Sequence, residues 1–300
     1  MNKKQIQALI VIIVIYVAVL SGYLNYYQHS NEKQLPGQLI ICNGVEGMKL
    51  LNFPIGDKQI LLPDYYIVDL AYSKDRGKAV IYVQEFSNAR AGIYEYNFIT
   101  KQLELIRDAE EIPDYQPGYL EYLPDKNAFS YIRSNTLYIY DLDTKEETRI
   151  IDDIGSQYNW NNDGNSLLYS TVPAGESDYY ICKYNIITKQ TEELAKGYNP
   201  VYSQDNKYIA YKTNDNLLVV KNFSNGEYWN YYDKGYYNYV FSPDGQYLAI
   251  TRVSNTSLDL LDASIFDVYI WQFMTDKPEK ILTLQAGAQS FIWDYIALDE

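Results

Sequence analysis

The sequence predicts an all-β fold built from a repeated unit of four strands. An aromatic strand followed by an acidic turn recurs along the chain, with turn aspartates at Asp75, Asp125, Asp163, Asp205, Asp244 and Asp294. These turns lie at intervals of roughly 40 to 50 residues, which is typical of one four-stranded propeller blade per repeat. Tyrosine accounts for 34 of the 300 residues, and tyrosine suits the pleated, half-buried surface of a strand.

The clearest copy of the repeat is the hairpin at residues 241–250. Phe241 ends one strand, Asp244-Gly245 makes the turn, and the residues that follow alternate in and out as a second strand. Asp-Gly between two apolar runs predicts a tight turn whose two central residues both have positive φ. The same hairpin recurs at residues 202–211, and diverged copies and a last trace lie at 160–164, 122–126, 72–77 and 291–294.

The two ends of the repeat predict how the ring closes. At the N-terminal end, a unit lacks its first strand and has only its last three, at residues 39–42, 48–53 and 60–62. At the C-terminal end, residues 290–293 form a first strand that no further strands of a unit follow. Pairing them removes the edges that an open sheet would expose. The predicted fold is therefore a six-bladed β-propeller of four-stranded blades, closed by three N-terminal strands plus one C-terminal strand and preceded by one transmembrane helix.

The N-terminal segment predicts a membrane anchor. Residues 6–24 are almost wholly apolar, and a helix of that length spans roughly 28 Å, about one hydrocarbon core. Two lysines precede the span, which places residues 1–5 in the cytoplasm. Residues 25–37 then form a stalk and residues 38–300 the propeller, so we expect a single-pass protein of the cell membrane with its propeller outside. A cleaved signal peptide is the alternative, and it exports the propeller equally.

The net charge and the residue composition argue against several classes of function. The net charge of −14 at pH 7 argues against a nucleic-acid partner, whose phosphates need a basic surface. The single histidine, His29, lies in the predicted stalk, whereas Ser-His-Asp and Cys-His sites need a histidine held beside the nucleophile. A histidine-based metal centre needs several. We therefore predict no catalytic residues, no metal site and no cofactor, with a carboxylate-based hydrolase or lyase as the remaining alternative.

Two smaller features each have a structural and a functional interpretation. Cys42 and Cys182 fall on the first and fourth blades, too far apart for a disulfide, which favours buried free thiols. The acidic residues 108–114 could supply oxygen ligands for calcium, but a solvated loop is the simpler interpretation.

The repeat resembles that of TolB-type propellers, a Trp-Asp-like family whose hallmark is an aromatic-Ser-Pro-Asp-Gly-Lys hairpin. The match is close at residues 202–207 and 241–246 and looser in the other units, where proline, glycine or both are replaced. The resemblance covers residues 38–299. It implies a scaffold that binds proteins or ligands at the mouth of a central channel, and it implies no particular activity.

The loops that enter each first strand gather at one mouth of such a channel, and Tyr and Asn recur in them. Tyrosine combines a large apolar face with a polar tip, which suits recognition of proteins and sugars alike. The predicted partner is another protein of a bacterial cell envelope, with a glycan or a peptide as the alternative ligand. The predicted contact residues are Tyr119, Tyr198, Asn199, Tyr237 and Asn238.

Overall fold

The computed structural model describes the propeller with short gaps. The described residues are 35–42, 47–53, 58–84, 90–116, 119–124, 126–155, 157–232, 236–255, 265–275, 277–285 and 290–296. Residues 36–300 form one compact unit. The predicted transmembrane helix and most of the predicted stalk lie outside the described residues. Within the described residues, no helix has the length and apolarity needed to cross a bilayer.

Within the described residues, twenty-four strands form six sheets of four, and every neighbouring pair is antiparallel. Blade 1 contains β1 (Gln38–Cys42), β2 (Met48–Asn52) and β3 (Lys58–Leu61), and blade 2 contains β4 (Tyr66–Ser73), β5 (Lys78–Gln84), β6 (Gly92–Asn97) and β7 (Leu103–Asp108). Blade 3 contains β8 (Glu121–Tyr122), β9 (Ala128–Arg133), β10 (Thr136–Asp141) and β11 (Glu147–Ile151). Blade 4 contains β12 (Tyr158–Trp160), β13 (Ser166–Thr171), β14 (Tyr180–Asn185) and β15 (Gln190–Lys196).

The second half of the ring repeats the same order. Blade 5 contains β16 (Tyr198–Tyr202), β17 (Tyr208–Lys212), β18 (Leu217–Asn222) and β19 (Tyr228–Tyr232). Blade 6 contains β20 (Tyr236–Phe241), β21 (Leu248–Asn255), β22 (Ile265–Trp271) and β23 (Glu279–Gln285), and β24 (Phe291–Asp294) completes blade 1. In the part of the chain that the structure describes, two short 3-10 helices, Lys74–Arg76 and Ala109–Glu111, lie in the connections.

The predicted ring closure is confirmed. Strand β24 pairs with β1 in the order β24-β1-β2-β3, with Leu39 opposite Trp293 and Ile41 opposite Phe291. Trp293 is 1% exposed, its ring lies 5.4 Å from that of Phe53, and its indole N–H donates to the carbonyl of Pro36 at 2.5 Å. The last strand of the chain is thus held by the first residues of the propeller, which leaves β1 no free edge.

The hairpin turns differ from the prediction in their backbone geometry. The amide of Ser242 donates to the carbonyl of Tyr247 at 2.9 Å, and the amide of Gly245 donates to the carbonyl of Ser242 at 2.9 Å. Gly245 has a φ of +69°, whereas Asp244 keeps an ordinary negative φ, so the prediction of positive φ at both residues is wrong. Pro243 explains the difference, because its fixed φ suits the second position of a type I turn and the loop therefore takes four residues.

Three of the six predicted turn aspartates have the structural role expected of them, and Asp125 lies outside the described residues. In each of three units the aspartate Oδ1 accepts the amide N–H two residues on, which is the bond expected of an Asx turn. The pairs are Asp163 with Asn165 at 2.7 Å, Asp205 with Lys207 at 3.1 Å and Asp244 with Gln246 at 3.1 Å.

The core lies between the blades. Strand β9 is buried at five of its six positions, whereas β15, the outermost strand of its blade, is largely exposed. One apolar cluster joins Ile40 and Met48 of blade 1 to Leu70 and Ile81 of blade 2. The inner strands read as continuous apolar runs because a neighbouring blade covers each of their faces.

Two smaller predictions fall within the described residues. Cys42 and Cys182 are buried free thiols in blades 1 and 4, and burial raises the pKa of both. In the acidic run, the Asp108 carboxylate accepts the amide of Glu110 and so caps the 3-10 helix Ala109–Glu111. No group of three or more His, Cys, Asp or Glu side chains in the described part of the chain is arranged to hold a metal ion.

Candidate functional site

The first strand of each blade lines a central channel, which contains two cavities. The loop-side cavity lies toward the loops that enter the first strands, has a volume of about 240 Å³, and is bordered by Tyr119, Gln157 and Asn238. The turn-side cavity lies toward the Asp turns, has a volume of about 740 Å³, and is bordered by Arg76 and Lys126 among others. Both are large enough to admit a side chain or a small ligand.

One position of each first strand forms a ring of six side chains around the channel. The strand registers place these side chains at equivalent points, opposite Ile40, Val80, Ser130, Leu168, Ala210 and Ala249 of the second strands. All six line the loop-side cavity, and they are Ile292, Ala71, Glu121, Asn159, Val201 and Val240. Four are apolar, and the two polar ones are neighbours in blades 3 and 4.

The polar arc of this ring is held by hydrogen bonds between blades. One carboxylate oxygen of Glu121 accepts from the Asn159 amide group at 2.6 Å, and the other accepts from the backbone N–H of Trp160 at 3.0 Å. Asn159 in turn accepts the backbone N–H of Tyr202 in blade 5 at 2.7 Å. A first strand has a sheet neighbour on one side only, so its inner backbone groups need partners of this kind.

A second carboxylate performs the same task between blades 2 and 3. Asp69 is 1% exposed, and its Oδ2 accepts from the backbone N–H groups of Tyr119 at 2.9 Å and Leu120 at 3.0 Å and from the Tyr115 hydroxyl at 2.7 Å. Its Oδ1 accepts from the N–H of Leu70 at 2.9 Å. Burial, followed by the nearby Asp69, raises the pKa of Tyr115 well above its usual range, so this phenol remains a donor.

Glu121 differs from Asp69 in facing the channel. It keeps part of its surface open to the cavities while protein surrounds the rest. Burial raises its pKa to about 7, against the lowering effect of the hydrogen bonds from Asn159 and Trp160. A carboxyl group inside the channel therefore changes charge near neutral pH, and perturbed groups in cavities are candidates for functional sites.

The structure places two of the five predicted contact residues at the loop-side cavity. Tyr119 is partly exposed there, and Asn238 accepts a hydrogen bond at 3.0 Å from the Gln157 side chain, which bridges blades 4 and 6. Tyr198 and Asn199 belong to β16 but do not line either cavity. The side chain of Tyr237 lies outside the described residues.

Tyr198 and Asn199 make contacts within blade 5 and to the blades on either side of it. The Tyr198 hydroxyl donates to the Asn216 side chain at 2.5 Å. Asn199 has a φ of +55°, its N–H donates to the Ser170 hydroxyl at 3.1 Å, and its carbonyl accepts from the Tyr239 hydroxyl. These contacts give both residues a structural role whether or not they also touch a partner.

Sequence reasoning missed Asp69, Glu121 and Gln157. A signal for Glu121 was present, because the equivalent positions of other units are apolar, as at Ala71 and Val240. A charged residue among apolar equivalents is a departure that an alignment of the units would have revealed. Gln157 lies in the loop that enters β12, one of the loops predicted to gather at the channel mouth, but it was not singled out because its contact with blade 6 depends on the curvature of the ring.

Comparisons with known proteins show the fold. No protein-family model matches the chain, and no curated protein matches it. TolB from Acinetobacter baumannii superposes with a TM-score of 0.64 at 17% identity, over 80% of this chain and 63% of that one. A structure of a nidogen/laminin complex gives a TM-score of 0.60 at 10% identity, over 86% and 96% of the two chains.

An enzyme is also among the similar structures. Oligogalacturonate lyase from Vibrio parahaemolyticus superposes with a TM-score of 0.50 at 16% identity, over 82% of this chain and 67% of that one. These superpositions show a TolB-like six-bladed propeller fold. Because all the sequence identities are low, they leave the activity open. This chain spans less than two thirds of the length of TolB from Acinetobacter baumannii.

Proposed function

We propose that this protein is a non-enzymatic interaction scaffold of the cell envelope, anchored by residues 6–24 with its propeller outside the membrane. Its partner is another envelope protein, which contacts the loop-side mouth of the channel. The anchor rests on the sequence alone, and the binding face rests on the geometry of the loop-side cavity.

The observation that carries this proposal is the composition of the loop-side mouth. Tyr119 presents a partly exposed aromatic side chain, and the Gln157–Asn238 amide pair lies across the mouth from blade 4 to blade 6. A tyrosine beside fixed amide groups suits a protein partner, since Tyr combines apolar area with hydrogen bonding at little entropic cost. The TolB-like fold and the likeness to a structure of a protein complex support the same function.

Affinity capture tests the proposal. The tagged full-length chain, a Tyr119→Ala/Asn238→Ala variant and an Ile187→Ala control are used as baits against solubilised envelope of the source organism. Ile187 is 70% exposed and lies in the turn between β14 and β15, on the opposite face of the ring. We expect the wild type and the control to retain the same protein and the double variant to lose it. If all three baits retain the same proteins, the loop-side mouth is not the binding face.

The alternative of a glycan or peptide ligand at the same mouth is favoured by the cavity itself. A ligand at one hundred times its dissociation constant stabilises the folded state by about 2.7 kcal/mol. A thermal-shift screen of sugars and short peptides therefore tests it, with the Tyr119→Ala/Asn238→Ala variant as the comparison. The absence of any shift counts against this alternative.

A lyase or hydrolase that uses carboxylates is the competing enzymatic function. The similarity to oligogalacturonate lyase keeps it open, and Glu121 is the carboxyl group in the channel that such chemistry would use first. Turnover of an oligogalacturonate that disappears in Glu121→Gln and persists in Glu104→Gln would replace the scaffold proposal. Glu104 is exposed on the outer strand β7.

A further inference from the structure

The six-residue ring around the channel is polar on one side and apolar on the other. Glu121 and Asn159 form one arc, while Val240 and Ile292 on the remaining side line both cavities as well. The two carboxylate oxygens of Glu121 each accept one hydrogen bond, so each keeps a lone pair for a further donor. A ligand in the ring therefore meets an acceptor on one side and aliphatic groups elsewhere.

The Glu121 carboxylate has no cationic partner among the described residues. It forms no ion pair with any residue that the structure describes, and the charged group that acts on it most clearly is another acid, Asp69 in β4. The neighbours in contact with it are neutral: Asn159 and Tyr158 in β12 and Tyr122 in its own strand. Two cations, Arg76 and Lys126, border the turn-side cavity that Glu121 also lines, but both are exposed and neither forms an ion pair with Glu121. A buried charge normally has a counter-charge, because leaving water without one is costly.

We propose that Glu121 is the binding site for an alkylammonium group that enters the central channel. The ammonium pairs with the Glu121 carboxylate and replaces its missing counter-charge, while the alkyl chain packs against Val240 and Ile292. The turn-side cavity, at about 740 Å³, has room for the rest of the molecule. The net charge of −14 attracts cations to the protein in general.

Binding of this kind is linked to a proton. Because the pKa of free Glu121 is raised to about 7 by burial, the carboxyl is mostly protonated at pH 6 and mostly charged at pH 8. An ammonium ligand binds the charged form, so below pH 7 it must displace a proton. Its affinity should rise about tenfold for each pH unit up to 7 and then level off.

The test uses butylammonium chloride and the full-length chain in mild detergent. Isothermal titration at pH 6 and pH 8 measures the affinity, with butanol as the neutral ligand and Glu104→Gln as the control variant. We expect butylammonium to bind more tightly at pH 8, butanol to bind much more weakly, Glu121→Gln to lose the butylammonium site and Glu104→Gln to keep it. Titration of the wild type at pH 6 in two buffers of different ionisation enthalpy counts the released proton, so the test does not depend on the folding of a variant.

Two further probes identify the source of the ammonium group. A lysine-containing peptide and its acetyl-lysine counterpart compete with butylammonium if the natural ligand is a lysine side chain, and only the first should compete. Competition by a free diamine without competition by the lysine peptide assigns the site to a small amine. The proposal is overturned if butylammonium fails to bind at pH 8, if butanol binds equally well, if Glu121→Gln binds as the wild type does, or if no proton is released at pH 6.

Discussion

Asp69 is the residue whose replacement tests the packing of the blades most sharply. Its carboxylate is almost fully buried and accepts from Leu70 in its own blade and from three donors of the next blade. Asp69→Ala leaves these donors without that acceptor, and a buried unsatisfied donor costs roughly 1 to 3 kcal/mol. Local relaxation and entering water reduce the sum, so we expect a loss of about 4 kcal/mol in the free energy of unfolding.

The assay is urea unfolding followed by circular dichroism, with Asp69→Asn and Asp215→Ala measured beside it. Asn has the shape of Asp but carries one acceptor oxygen and one amide NH2, and with the oxygen kept toward the three donors of blade 3 the NH2 faces the N–H of Leu70. We therefore expect Asp69→Asn to lose roughly 1 to 3 kcal/mol, which is less than the loss in Asp69→Ala. Asp215 is exposed in a turn of blade 5, and its replacement should change stability by no more than about 0.5 kcal/mol. Full stability of Asp69→Asn would refute the reasoning, because it would show that volume and not hydrogen bonding decides the site.

Three further predictions concern stability. Because the pKa of folded Glu121 is about 7 and its unfolded value is 4.5, the folded state binds more protons between these values, so stability should fall by about 3 kcal/mol as pH rises from 4.5 to 7. The free energy of unfolding in urea is measured across this pH range for the wild type and for Glu121→Gln, and the difference between the two isolates the contribution of Glu121. A difference that does not change with pH would contradict the prediction. Trp293→Ala should cost about 3 to 5 kcal/mol in thermal or urea unfolding, since it empties a buried aromatic site at the ring closure; a loss below about 1 kcal/mol would contradict the closure's role. Ser242→Ala should cost about 1 kcal/mol, because the Ser242 hydroxyl accepts the N–H of Tyr247 at 3.0 Å; a matched Ser224→Ala change on an exposed turn, measured in the same way, should cost less.

The architecture was predictable because it follows from local patterns and from one argument about edges. The six aspartate turns predict the number of blades. The strands at residues 39–42 and 290–293 each lack a partner in the sequence pattern, and pairing them with each other closes the ring without a free edge. The turn geometry was predicted less well. Asp244-Gly245 alone suggests a two-residue turn, but Pro243 before it favours a type I turn, and the effect of the proline outweighed the dipeptide pattern.

The channel was less predictable than the blades. Asp69 and Glu121 bond to backbone groups of the neighbouring blade, and such contacts depend on how far each sheet is rotated from the next. Repetition in the sequence shows that the units are alike, but it does not show which side chains meet between them. The tyrosines illustrate the point, since Tyr119 faces the loop-side cavity whereas Tyr198 bonds to Asn216 within blade 5.

Site-specific photocrosslinking tests the proposed binding face most directly. A photoreactive phenylalanine analogue replaces Tyr119 at the loop-side mouth in one full-length chain and Ile187 on the opposite face in another, and both are irradiated in cells of the source organism. The proposed function predicts a discrete adduct with one envelope protein from position 119 and none from position 187. No adduct from position 119, or the same adduct from both positions, would contradict it.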